Sequence, residues 1–174
     1  MSSPRPFFAD LDFGRAAEKS EALFLALRLL YPRSEIQDPT PQEDRSGVDV
    51  WVVNQYGDRV GVQVKARRVS FLGDVFLEIH ADLDRGVPGW ASEARAELLA
   101  VVYKDCVLLF HMPTLAYLVR EKLTKWLEEG YGHITKSEKR PGQVYESLGV
   151  FVPLQELGPA LLLSVPKPRT GEAA

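Results

Sequence analysis

The chain has few of the residues on which much small-protein chemistry is built. Its 174 residues include one cysteine, Cys106, and three histidines. A single thiol excludes a disulfide framework and a zinc site made of paired cysteines. His80, His111 and His133 stand at no metal-ligand spacing from one another. Long apolar runs are missing as well, and none reaches the roughly 20 residues a membrane-spanning helix needs. The opening MSSPRPFFAD lacks the charged-then-apolar order of a secretory leader. Neither sign of charge dominates: 21 Lys and Arg stand against 24 Asp and Glu, a formal net charge of −3. That excludes a surface coated evenly for nucleic acid, though not a local basic cleft. No phosphate-cradling glycine loop, His-Glu-x-x-His helix or nucleophile elbow is present. There is no internal repeat. A lone cysteine and no leader point to the cytoplasm, with no membrane partner.

What is present is an ordinary globular composition, 45% hydrophobic and 26% charged. The length suits a single domain over residues 1–165. The polar, proline-rich PKPRTGEAA of 166–174 reads as a disordered tail.

The informative stretch is Ser46 to Arg68, SGVDVWVVNQYGDRVGVQVKARR. Val48 to Asn54 is apolar and β-branched, a buried strand. Gln55-Tyr56-Gly57-Asp58 supplies a turn. Arg59 to Ala66 alternates, with Val60, Val62 and Val64 on one face and Gly61, Gln63 and Lys65 on the other. Folding the two strands together brings Asp49, at the first strand's start, towards Gln63 and Lys65. A carboxylate, an amide oxygen and an ammonium then converge at one end of a hairpin. Metal-assisted phosphodiester hydrolysis uses such a set. A hard divalent cation takes carboxylate, carbonyl and water oxygens, and a lysine beside it positions water or offsets charge on the phosphate. Asp49 and Gln63 suit the ligand roles, the Val64 carbonyl is a further oxygen, and Lys65 is the catalytic lysine.

Carried by G-V-D-V and V-Q-V-K, this D…Q-x-K pattern resembles the PD-(D/E)XK nuclease superfamily. It is most similar to the Mrr-type and Holliday-junction-resolvase-like branch, whose members often carry Gln in place of Glu. The resemblance spans Phe13 to Leu118. It implies an α/β, restriction-endonuclease-like fold, a central mixed β-sheet flanked by helices. It also implies a Mg²⁺-dependent endonuclease acting on DNA, with Mn²⁺ as substitute, and products ending in 5′-phosphate. Cutting both strands would call for a homodimer. Related nucleases place a metal-binding glutamate on the first helix, a few residues after a glycine. Gly14-Arg15-Ala16-Ala17-Glu18 matches, which selects Glu18 with Glu21 in reserve. A neutral Gln63 makes a second carboxylate physically desirable. Read from the residues alone, Glu18 is equally a solvated acid near a helix end.

The remaining elements follow in order. Phe7 and Phe8 dock on the body. One long helix covers Phe13 to Tyr31, capped by Asp10 or Asp12 and ended by Pro32. Pro32 to Arg45 is a polar loop in which Asp44 rivals Asp49. Arg67 and Arg68 follow Lys65 and offer phosphate contacts. Val75 to His80 is a strand, and Gly89 to Arg95 a short helical turn. Leu98 to Tyr103 and Val107 to His111 are paired strands. A helix runs from Met112 to about Glu129, its stripe Leu115, Leu118, Val119, Leu123, Trp126 and Leu127. Gly130 to Gln143 reads as a basic loop whose Lys136, Lys139 and Arg140 would form a nucleic-acid arm. Val144 to Pro153 is the last strand, and Leu154 to Leu163 an apolar closing segment. Three uses of the D…Q-x-K residues stay open: a nuclease centre, a nucleic-acid-binding or assembly module that has lost its metal, and a strand with polar side chains facing water.

Overall fold

A computed structural model of the chain describes residues 7–93, 95–140 and 143–167. The elements in chain order are α1 (Phe7–Glu18), α2 (Glu21–Leu30), β1 (Glu35–Gln37), α3 (Pro41–Arg45), β2 (Val50–Val53), β3 (Arg59–Ala66), β4 (Asp74–Asp82) and β5 (Val87–Pro88). They continue with β6 (Leu98–Val102), β7 (Cys106–His111), α4 (Met112–Glu128), β8 (Gly132–Arg140), β9 (Gln143–Pro153), a 3₁₀ turn at Leu154–Leu157 and β10 (Leu161–Pro166). The fold class is mixed α/β with few helices. Two compact units emerge. One holds Leu11–Leu72, Arg95–Met112 and the segment from Leu161; the other holds Gly73–Ala94, Pro113–Ala160 and the residues up to Asp10.

The first unit contains a six-stranded sheet in the order β1-β2-β3-β6-β7-β10. β3 and β6 run parallel; the other neighbours are antiparallel. Apolar residues at every second position, among them Val50, Val52, Val62, Val64, Ala100 and Leu109, form one face. Leu23, Ala26 and Leu27 of α2 pack on it. The alternate residues Leu99, Val101, Leu108 and Phe110 are buried too. Strands buried on both faces read as unbroken apolar runs, as LLAVV and VLLF do.

The single helix expected over Phe13 to Tyr31 is two helices. Ser20 is extended, at φ −74 and ψ 137, and its Oγ accepts the Leu23 N–H. A serine that caps the following turn competes with helical continuation through itself. Asp10 and Asp12, expected as caps, lie within the span of α1 instead. The side chains of Phe7 and Phe8 fall outside the described residues. Ser20→Ala is expected to lower stability by about 1 kcal/mol, read as a fall in Tm, with Ser20→Asp restoring it.

The expected loop Pro32 to Arg45 carries β1 and α3. Thr40 and Glu43 form a capping box, each binding the other's backbone N–H, with Pro41 in the first turn. That T-P-x-E spacing is a legible helix start. β1 is an edge strand of three residues, too short for alternation to reveal.

The second unit contains an antiparallel sheet ordered β5-β4-β9-β8. The expected basic loop Gly130 to Gln143 is largely the strand β8, paired to β9 from Gly132 to Arg140. Gly89 to Arg95 forms turns and no helix among its described residues. In α4, Leu115, Leu118, Val119 and Trp126 are buried as the stripe implies, whereas Leu127 is exposed. β9 is not the last strand. The closing segment supplies the 3₁₀ turn and β10, which pairs with β7 in the six-stranded sheet. Of the expected tail, Pro166 ends β10, and residues 168–174 lie outside the described residues. Among the described residues, no helix is long and apolar enough to cross a membrane.

Candidate functional site

The β2–β3 hairpin sets the D…Q-x-K residues side by side within the first unit. Its turn is tied by Asn54, whose Oδ1 accepts from Tyr56 N at 2.8 Å and Asp58 N at 3.0 Å. That fixes the register, with Val50 opposite Val62. Just before the ladder, Asp49 N donates to the Val62 carbonyl at 2.9 Å. The Asp49 carboxylate then reaches across, and Oδ2 accepts the Val64 N–H at 2.6 Å. Asp49 is thus clamped to β3 between Gln63 and Lys65. Gly47 makes the bend into β2 at φ +98, where a side chain would be strained and would meet Arg95 at 3.1 Å.

Gln63 is 5% exposed, and its Oε1 is buried without a hydrogen-bond partner. Strand residues with polar side chains facing water would not look like this. A buried acceptor left unpaired is destabilising unless something completes it. Lys65, two residues along β3, is half-buried, and its charge favours the ionised form of Asp49.

Glu18 ends α1 and is half-buried. Burial pushes its carboxyl pKa up, and the charges of Asp49 and then Asp44 push it further; Arg15 and Lys19 oppose them. Burial likewise raises the Asp49 pKa, against the lowering effects of the Val64 N–H and Lys65; Asp44 raises it again. Glu18 and Asp49 therefore share one electrostatic neighbourhood, and Asp44 belongs to it. Glu21 stands apart as an exposed residue in the first turn of α2. Among the described residues, no group of three carboxylate, imidazole or thiol side chains closes into a cage for a metal ion. A cation here would depend on two acids, the orphaned Gln63 Oε1, the Val64 carbonyl and water. Hard divalent cations accept such an oxygen set, and magnesium in particular keeps several waters.

The remaining expected residues are dispersed. Arg67 is half-buried, and its N–H donates to the Val102 carbonyl at 2.8 Å. The Arg68 guanidinium lies 4.2 Å above the Phe13 ring centroid, a cation–π contact that engages one of its faces. Lys136, expected in a basic arm, pairs with Glu146 at 3.0 Å across β8 and β9. The side chains of Lys139 and Arg140 lie outside the described residues. Asp44, read from sequence only as a rival to Asp49, acts on both acids. Its signal was the capping box of α3, which carries it to Gly47.

Comparison with protein-family models, with curated proteins and with solved structures gives no match to this chain. The chemistry of the site therefore rests on its own geometry.

Proposed function

We propose that the protein is a divalent-metal-dependent nuclease whose centre is Asp49, Glu18, Gln63 and Lys65. The observation that carries this reading is the buried Gln63 Oε1, left without a donor next along β3 to the Val64 N–H that holds the Asp49 carboxylate. Burial raises the proton affinity of two half-buried carboxylates, Asp49 raises that of Glu18 further, and the buried Gln63 amide oxygen has no donor. Like charges at close quarters resist ionisation together, and a bound divalent cation would relieve both the repulsion and the orphaned oxygen.

Asp49, Glu18, Gln63 Oε1 and the Val64 carbonyl would hold the ion, Mg²⁺ with Mn²⁺ as substitute. When bound, such an ion supplies Lewis-acid polarisation of the phosphodiester and acidifies a coordinated water. Lys65 would orient that water and offset charge gathering on the phosphate oxygens. The Val64 N–H holds the Asp49 carboxylate in place, so its geometry is set before substrate arrives. Arg67 would contact the phosphate backbone. On this reading the six-stranded mixed sheet is the restriction-endonuclease-like core, DNA is the substrate, and two copies would cut two strands. The protein would work in a reducing cytoplasm, where Cys106, a free thiol with a pKa pushed up to about 11, first by burial, is inert.

A second reading has one observation in its favour: among the described residues, no three acids converge. It makes the protein a nuclease-fold module that binds nucleic acid or assembles a complex without cutting. A cleavage assay separates the two. Supercoiled, linear and branched DNA and RNA are incubated with Mg²⁺ or Mn²⁺, using wild type and Lys65→Ala. Cutting that needs metal and falls about 10²-fold in Lys65→Ala is expected. Binding without cutting would favour the module.

Gln63→Glu gives a further expectation. Ligand charge count tunes the affinity of such sites, so Mn²⁺ should bind about tenfold more tightly by calorimetry. The metal-free variant should be less stable than wild type at neutral pH, because a third buried acid joins two that already repel.

A further inference from the structure

A cavity of about 190 Å³ opens elsewhere in the first unit, with Phe13 and Tyr103 on its walls and Arg67, Lys104, Lys167 and Ser20 around it. Among the described residues, no carboxylate lines it. The three basic residues come from the segments that follow β3, β6 and β10. Their backbones are pinned: Arg67 N donates to Val102 O at 2.8 Å, Lys104 N to Val69 O at 3.2 Å, and Lys167 N to Asp105 O at 2.7 Å. The main chain that carries the cationic side chains is thus fixed before any ligand arrives. Lys167 is partly desolvated, which lowers its pKa, while Cys106 and Asp105 act in the other direction. A desolvated ammonium gains more from an anion than a hydrated one does.

We propose that this cavity takes the terminal phosphate monoester of a nucleic-acid strand, with the adjoining sugar or base against Phe13. Four properties select that ligand. A terminal phosphate is close to dianionic at neutral pH, whereas an internal phosphodiester carries one charge, so it makes fuller use of the basic cluster. Drug-sized pockets begin at roughly 300 Å³, so this one suits a compact head group and not a stacked duplex. The Phe13 ring, whose other face carries Arg68, accepts a nucleoside without regard to sequence, whereas Tyr103 is buried against Phe71. Arg67 lies two residues past Lys65, about 7 Å along the chain, which is about two nucleotide steps at the axial spacing of one strand. A strand end held here lies within a few nucleotides of the Asp49 centre.

The inference rests on the nuclease reading for its substrate class, so its test is a binding measurement made without metal. Short oligonucleotides with a 5′-phosphate, a 3′-phosphate or only hydroxyl ends carry a fluorophore at the opposite end. Fluorescence anisotropy in EDTA compares them on wild type, Lys104→Gln, Lys167→Gln and the double variant. Tm is measured alongside, to confirm that each is folded. One phosphorylated end should bind about tenfold more tightly than hydroxyl ends, and which end does so fixes the polarity. Millimolar inorganic phosphate should erase that preference, and so should the double variant, with hydroxyl-ended binding little changed. Equal binding of all three ends, or a preference that survives in the folded double variant, overturns the pocket and leaves the nuclease reading standing. An end preference in a protein that never cuts supports the pocket and overturns the nuclease. No binding to any oligonucleotide overturns the pocket as well.

Discussion

Asp49→Asn is expected to lower metal-dependent cleavage by about 10³-fold with little loss of stability. The substitution separates two roles that alanine would confound. The Asp49 carboxylate accepts the Val64 N–H at 2.6 Å. Asparagine keeps an oxygen that can accept that bond, so the hairpin register stays tied. It removes the charge, which is what a divalent ion requires of its most buried acid. Asp49→Ala removes both, and should show the same loss of activity plus a lower Tm. Single-turnover rates at saturating metal, beside thermal unfolding, check the pair. If Asp49→Asn cuts at near wild-type rate, Asp49 is a structural clamp and not a metal ligand.

Glu18→Gln should reduce cleavage by about 10²-fold at limiting metal, at least the loss seen when an outer-shell partner is removed. Its pH behaviour is more diagnostic. The Glu18 and Asp49 carboxyls sit above their ordinary values of 4.5 and 3.8, each raised first by burial. The folded state therefore binds these protons more tightly than the unfolded chain does. That stabilisation is complete below the ordinary carboxylate range and is lost as pH rises through the folded values. At neutral pH the metal-free protein holds ionised, mutually repelling acids. Glu18→Gln removes part of that repulsion, so in EDTA its Tm should exceed wild type at pH 7 to 8, with the gap closing towards pH 4. Added Mn²⁺ should reverse the order at neutral pH, since wild type alone keeps both acids for the ion. A Tm for Glu18→Gln below wild type at every pH in EDTA would mean that Glu18 serves the fold.

The part of the site that sequence made legible is the part set by period-two alternation. Val60, Val62 and Val64 against Gly61, Gln63 and Lys65 place the last two on one face of β3, and a four-residue turn leaves Asp49 one step before the ladder. Burial of Gln63 was not legible. Alternation tells which side chains share a face, and cannot tell that this face of the sheet is covered as well. The break at Ser20 was hidden because apolar residues continue on both sides of it, so the helical period outweighed a serine cap. β8 was read as a loop because GHITKSEKR is polar and basic apart from Ile134 and bounded by glycine. Only its pairing with β9 makes it a strand, and tertiary context decides such cases. β10 is a short, largely apolar segment of six residues, LLLSVP, a length at which helix and strand look alike. Lys104 and Lys167 gave no local signal, since 63 positions of chain separate them and only the sheet order brings β6 and β10 near each other, on either side of β7.

The most direct test of the metal centre is paramagnetic line broadening by Mn²⁺, followed in the amide NMR spectrum of the metal-free protein. Sub-stoichiometric Mn²⁺ should first erase the amide signals of Asp49, Gln63, Val64, Lys65 and Glu18, and Asp49→Asn should keep them. Broadening that falls elsewhere, or that persists around Gln63 in Asp49→Asn, would contradict a metal centre at this hairpin.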